Sequence, residues 1–130
     1  MTLLLDSSVL FELEKDNKTI VNRLKEMSAG HPARACISFM SSVEFLYGIE
    51  EKSDEEKAEA KEFLWKFCVL HTTNETAAWL AYLKHKYDKL GKPKSISGLF
   101  IASQALEHKL TLVTKDRDFE DISEIKKIIV

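Results

Sequence analysis

Chain breakers are scarce in this sequence, with 4 glycines and 2 prolines in 130 residues, so its regular elements should be long and its loops short. The 2 cysteines, Cys36 and Cys68, are too few for a disulfide or zinc framework. Each sits in an apolar stretch, ACISF or KFCVL, and both read as buried thiols. No apolar run approaches the length of a membrane span. The opening MTLLLDSS has a short apolar run and no basic region before it. No secretory signal is expected, and the chain is expected in the cytoplasm with no membrane partner. A strong charge of either sign is missing too. The formal net charge is -2 at pH 7 and the pI about 6.1, which exerts no global pull on a polyanion. Work on nucleic acid would need local basic groups or bound cations. His31, His71, His85 and His108 show no paired metal-ligand spacing. Neither a phosphate-cradling glycine motif nor a serine nucleophile elbow occurs, and no repeat or linker is visible.

What remains suits one soluble α/β domain spanning residues 1–130, with 45% hydrophobic and 31% charged residues. Brief apolar runs mark strands: Leu3–Leu5, Ala35–Phe39, Phe67–Leu70, Leu110–Val113 and, as a fifth candidate, Lys127–Val130. Runs without polar alternation suit parallel strands covered on both faces. Helical patterns lie between them. Val9–Leu13 and Ile20–Met27 form a first pair. Ser41 or Ser42 could cap the next, which carries Val43, Leu46, Tyr47 and Ile49. Residues 54–65 and 74–90 follow, the latter stopped by Gly91 and Pro93, and Ser95–His108 completes the set. Strands alternating with helices imply βαβ units and right-handed crossovers.

In such a sheet, ligands gather beyond the carboxyl ends of the strands. Asp6 directly follows LLL, Asp116 follows LVT by two residues with Asp118 close behind, and Glu44 lies one turn into the helix after ACISF. The fold would collect these distant carboxylates at one edge. Gathered acids repel unless a proton, a basic partner or a hard divalent cation neutralises them. Two such cations can activate water and stabilise the leaving oxygen in phosphodiester cleavage. Each acid also has a plainer reading: Asp6 as a helix cap, Glu44 as an exposed first-turn acid, Asp116 and Asp118 as turn residues. The basic residues include Arg23, Lys25 and Arg34, and the cluster from Lys84 to Lys94 and Lys115 with Arg117 lead toward these acids. Lys92, Lys94, Lys115 and Arg117 could hold phosphates, or simply line a solvated face. Trp65, Trp79, Phe63, Phe67 and Tyr82 read as core or interface rather than base-stacking platforms. The same two readings stand for Phe11, Phe45 and Tyr47.

Four segments in order, LLLDSSVLFEL, ISFMSSVEFLYGIE, GKPKSISGLFIASQAL and LTLVTKDRDF, resemble the PIN-domain ribonucleases, and VapC-type toxins of toxin–antitoxin pairs in particular. The resemblance spans nearly the whole chain. It implies a PIN-like α/β/α sandwich with a central parallel sheet of four or five short strands. It implies a metal-dependent endoribonuclease of a VapBC-type system, using Mg²⁺ or Mn²⁺ to hydrolyse RNA phosphodiesters. Carried over by motif, Asp6, Glu44 and Asp116 are catalytic acids and metal ligands, and Asp118 is an additional acid. Ser7 or Ser8 and Thr114 match supporting hydroxyls. The family's third acid begins a helix after G-K-P and a short spacer, and in that frame this sequence has Gly98. Glycine supplies no ligand, so the resemblance leaves two functions open: a nuclease, weakened or disabled, or an inactive module that binds antitoxin or RNA. It also implies a VapB-like antitoxin, an RNA substrate and a homodimer.

Overall fold

In the computed structural model, which describes residues 2–28 and 35–130, short strands alternate with helices. His31 and Arg34 lie outside the described residues. The chain runs β1 (Leu3–Leu5), α1 (Ser7–Glu14), α2 (Lys18–Met27), β2 (Cys36–Ser38), α3 (Phe39–Gly48), α4 (Asp54–Leu64) and β3 (Cys68–Leu70). It continues through α5 (Asn74–Lys89), α6 (Ile96–Glu107), β4 (Thr111–Thr114), a 3₁₀ turn at Arg117–Phe119 and β5 (Lys126–Ile129). The strands form one five-stranded sheet in the order β3-β2-β1-β4-β5. All four neighbouring pairs are parallel. With helices on both faces this is a PIN-like α/β/α sandwich.

The apolar strand runs follow from burial on two sides. Leu3, Leu5, Ile37 and Val113 face one apolar cluster with Val9, Leu10, Phe45 and Leu64, from the helices between β1 and β3. Leu4 and Leu112 face a second cluster with Leu83, Tyr87, Leu99 and Ala102 of α5 and α6. Alternate side chains thus enter opposite cores, so apolar residues predominate on both faces of the strands. Burying each large aliphatic side chain contributes about 1.5–3 kcal/mol. Gln104 is also fully buried, and it is satisfied. Its Oε1 accepts from Phe39 N, and its Nε2 donates to the carbonyls of Leu70 and His71, tying α6 to α3 and to the end of β3.

Helix ends carry local signals. Ser38, not Ser41 or Ser42, caps α3, its Oγ accepting from Met40 N at 3.1 Å. The strand stops early, so the helix begins at once and Ser41 and Ser42 lie buried inside it. α5 stops where Gly91 adopts φ +70°, a conformation that suits glycine. Cys68 is exposed rather than buried, because it opens an edge strand. Trp65 also projects outward, at 57% exposure, while Phe63 and Phe67 pack against the core. No helix among the described residues is long and apolar enough to cross a membrane.

Candidate active site

The strand order reverses beside β1. Successive strands first add on one side, through β2 and β3, and then on the other, through β4 and β5. The crevice at such a reversal lies beyond the carboxyl ends of β1 and β4. Register places Leu5 opposite Val113, so Asp6 and the segment after Thr114 leave the sheet side by side. Glu44 reaches the same place from α3. Asp6, Glu44 and Asp116 line one cleft of about 150 Å³, together with Ser7, Ser8 and Gly98.

Asp6 is only 5% exposed and is tightly held. It caps α1, its Oδ1 accepting from Ser7 N at 2.7 Å and from Ser7 Oγ at 3.4 Å. Its Oδ2 accepts from Thr114 Oγ1 at 2.6 Å and Ser8 Oγ at 3.1 Å. The cap and the cleft acid are therefore the same residue in two roles. Thr114 Oγ1 also accepts from Asp116 N at 3.0 Å, and Ser8 Oγ accepts from Lys115 N at 3.1 Å, which fixes the backbone after β4 against α1. Ser7 Oγ lies between two acids, 3.2 Å from Glu44 Oε1 and 3.4 Å from Asp6 Oδ1. Asp116 is exposed, and its Oδ1 accepts from Asp118 N at 2.9 Å. Asp118 does not line the acid cleft. It lines an adjoining cavity of about 110 Å³ that shares Ser95, Gly98, Asp116 and Phe119 with the cleft. With no side chain at Gly98, nothing projects from this position of α6 into either space.

Glu44 records the crowding. Its carboxyl is held above the ordinary glutamate value of 4.5, chiefly because burial strips water from the charged form, and next because Asp6 repels it. The bond from Ser7 pulls it back, and Asp116 adds a further push upward. The folded protein thus holds this proton more tightly than the unfolded chain does. The resulting stability is present below 4.5 and is lost as pH rises through the folded value. Glu44→Gln removes the charge at every pH. In chelator, its melting temperature relative to the parent is expected to climb between about pH 4 and about pH 7. A difference that stays flat across that range contradicts the crowding.

A divalent cation needs several oxygens converging on one point. Among the described residues, no group of three His, Cys, Asp or Glu side chains lies close enough to hold a metal ion. Both oxygens of Asp6 already accept hydrogen bonds, and Gly98 offers none. The residues present therefore do not form a ready cation site.

Of the candidate phosphate-binding residues, Lys94 lines the adjoining cavity, none lines the acid cleft, and most are engaged within the chain. Lys94, with 13% of its side chain exposed, pairs with Asp121 and donates to the Asp118 carbonyl. Lys115 pairs with Glu12 at 3.0 Å, and Arg117 with Glu120. Lys92 is exposed. The sequence reading did not single out Ser95 and Ser97, which add hydroxyls to the cleft wall. Their SxS spacing at a helix start was the available signal.

A family model described as PIN domain matches residues 3–125 of the chain. No curated protein matches it at a significant level. Among solved structures, that of VapBC2 from Rickettsia felis bound to a promoter DNA fragment is similar with a TM-score of 0.87 and 22% identity, covering 100% of this chain and 99% of that one. DNA-bound VapBC from Salmonella typhimurium gives 0.83 and 24%, covering 99% and 98%. VapBC-1 from nontypeable Haemophilus influenzae gives 0.85 and 25%, covering 99% and 98%. At such identities the likeness speaks for the fold.

Proposed function

This chain belongs to the PIN-domain family, and on that premise we propose that it is the VapC-like partner of a toxin–antitoxin pair, a catalytically inactive module that binds an antitoxin at its acidic cleft. The single observation carrying this reading is Gly98, which borders the cleft of Asp6, Glu44 and Asp116 and has no side-chain oxygen to offer it. The solved relatives are VapBC assemblies, which supports an antitoxin as the partner here. The cleft's chemistry favours a basic segment. Burial chiefly raises Glu44, and a cationic side chain placed among the three acids would relieve the repulsion that Asp6 and Asp116 add, without requiring the coordination geometry of a metal. A homodimer is part of the proposal. Phe39, Val43 and Tyr47 recur every four residues on α3 and remain 42%, 43% and 83% exposed, an apolar stripe suited to a second copy.

The second reading, a three-acid Mg²⁺- or Mn²⁺-dependent endoribonuclease, draws on the retained acids and the ordered hydroxyls of Ser7, Ser8 and Thr114. In that reading Asp118 is a further metal ligand, and Lys92, Lys94, Lys115 and Arg117 hold RNA phosphates. Calorimetry with Mn²⁺ and a fluorogenic RNA assay separate the two. The unmodified chain is expected to show no saturable Mn²⁺ binding at micromolar concentration and no cleavage above an Asp6→Ala control. Cleavage that disappears on Asp6→Ala would establish the second reading instead.

A further inference from the structure

The end of the sheet opposite the acid cleft carries a second pairing of reactive side chains. Cys36 opens β2 and Cys68 opens β3, and the parallel register sets them directly across from each other. Neighbouring strands lie about 4.8 Å apart, which puts the two Cα atoms in the range that a disulfide spans. Side chains in register on adjacent strands point to the same face. Both thiols are free, Cys36 half-buried and Cys68 exposed. β3 is an edge strand of three residues, paired only with β2, so its end can shift to accommodate a bond.

We propose that Cys36 and Cys68 form a reversible redox pair that closes into an intrachain disulfide when a small disulfide such as oxidised glutathione accepts the electrons. Exposure assigns the order. Cys68 loses its proton to solvent and attacks one glutathione sulfur. The glutathione S–S bond breaks, one glutathione leaves as a thiolate, and Cys68 carries the other as a mixed disulfide. Cys36 then loses its proton and attacks the Cys68 sulfur, forming the intrachain bond and expelling the second glutathione. Two electrons pass from the protein to the oxidant, and two protons end on the two glutathione thiols. Burial and the neighbouring Cys68 push the Cys36 thiol up to about 11, which suits the resolving role and not the first attack. The bond would close β2, α3, α4 and β3 into a covalent loop.

The test equilibrates the full chain with oxidised glutathione under anaerobic conditions, quenches with acid, and alkylates in denaturant with excess N-ethylmaleimide at neutral pH before mass spectrometry. The expected product is a monomer lighter by two hydrogens in which neither cysteine is alkylated. Its melting temperature should rise by roughly 5–10 °C. Dithiothreitol should restore both alkylation sites and the lower melting temperature. Cys36→Ser is expected to stop at a glutathione adduct on Cys68, and Cys68→Ser to leave Cys36 largely alkylatable. The proposal is overturned if both cysteines of the parent stay alkylatable, if only adducts or intermolecular dimers accumulate, or if the Cys36→Ser chain reacts as the parent does.

Discussion

Gly98→Asp should raise Mn²⁺ affinity and RNA cleavage over the parent by a factor on the order of 10². The figure comes from metal sites, where losing even an outer-shell partner of a ligand costs about 10–100-fold, so supplying a ligand should do at least as much. Geometry permits the change. Ser95 caps α6 and its Oγ accepts from Gly98 N at 3.1 Å, which puts position 98 in the first helical turn. An added Cβ would stand 3.0 Å from Ser95 Oγ and 3.8 Å from Phe119 Cζ. A hydroxyl on a rotatable bond can yield a few tenths of an ångström. An acid in the first turn is also favoured by the helix dipole, by about 0.3–1 kcal/mol at exposed sites. Its carboxylate would join Asp6, Glu44 and Asp116, so the metal-free variant should suffer added repulsion. Mn²⁺ should then raise its melting temperature, since saturation at 100 times Kd stabilises by about 2.7 kcal/mol. Adding Asp6→Ala should abolish both the shift and the cleavage. A folded Gly98→Asp protein that neither binds Mn²⁺ nor cuts RNA would show that position 98 is not the place of a missing acid.

Phe45→Ala should destabilise the protein by about 3–5 kcal/mol, the usual cost of emptying a buried aromatic site. For a domain of this size that corresponds to a drop of roughly 10–20 °C in melting temperature. Phe45 is completely buried. Its ring stacks on Phe11 of α1 at 5.0 Å and lies 6.0 Å from Phe63 of α4, so three helices meet on it. The neighbouring Glu44 owes its position to that seat. The same variant should therefore loosen the wall of the cleft as well as the core. Glu59→Ala on the exposed face of α4 is the control: it should change stability by less than about 0.5 kcal/mol. Equal losses in the two variants would contradict the packing described for α3.

The elements that were legible in advance share a cause. LLL is apolar at every position, and β4 has Leu112 and Val113 at its centre, because both faces of the sheet are covered, and Gly91 stops α5 because the chain turns through positive φ there. The start of α3 was less legible. Three serines, Ser38, Ser41 and Ser42, can each act as a cap, and only the length of β2 selects Ser38. Gln104 gave no signal at all. A glutamine in a helical run looks like a surface residue until α3 and the end of β3 close over it. The cysteines were misread for a related reason: an apolar stretch suggests burial, but Cys68 lies on a sheet edge, and edges are set by strand order.

By itself the sequence determined the alternation of strands and helices, the acids at the strand ends, and the glycine at position 98, since these depend on local periodicity and on residue identity. The tertiary structure alone decided which residues meet. Strand order and register brought Asp6, Glu44 and Asp116 to one cleft, left Asp118 beside it, and set Cys36 against Cys68. Such meetings are settled by burying two apolar faces at once, a condition on the whole chain that no short segment contains.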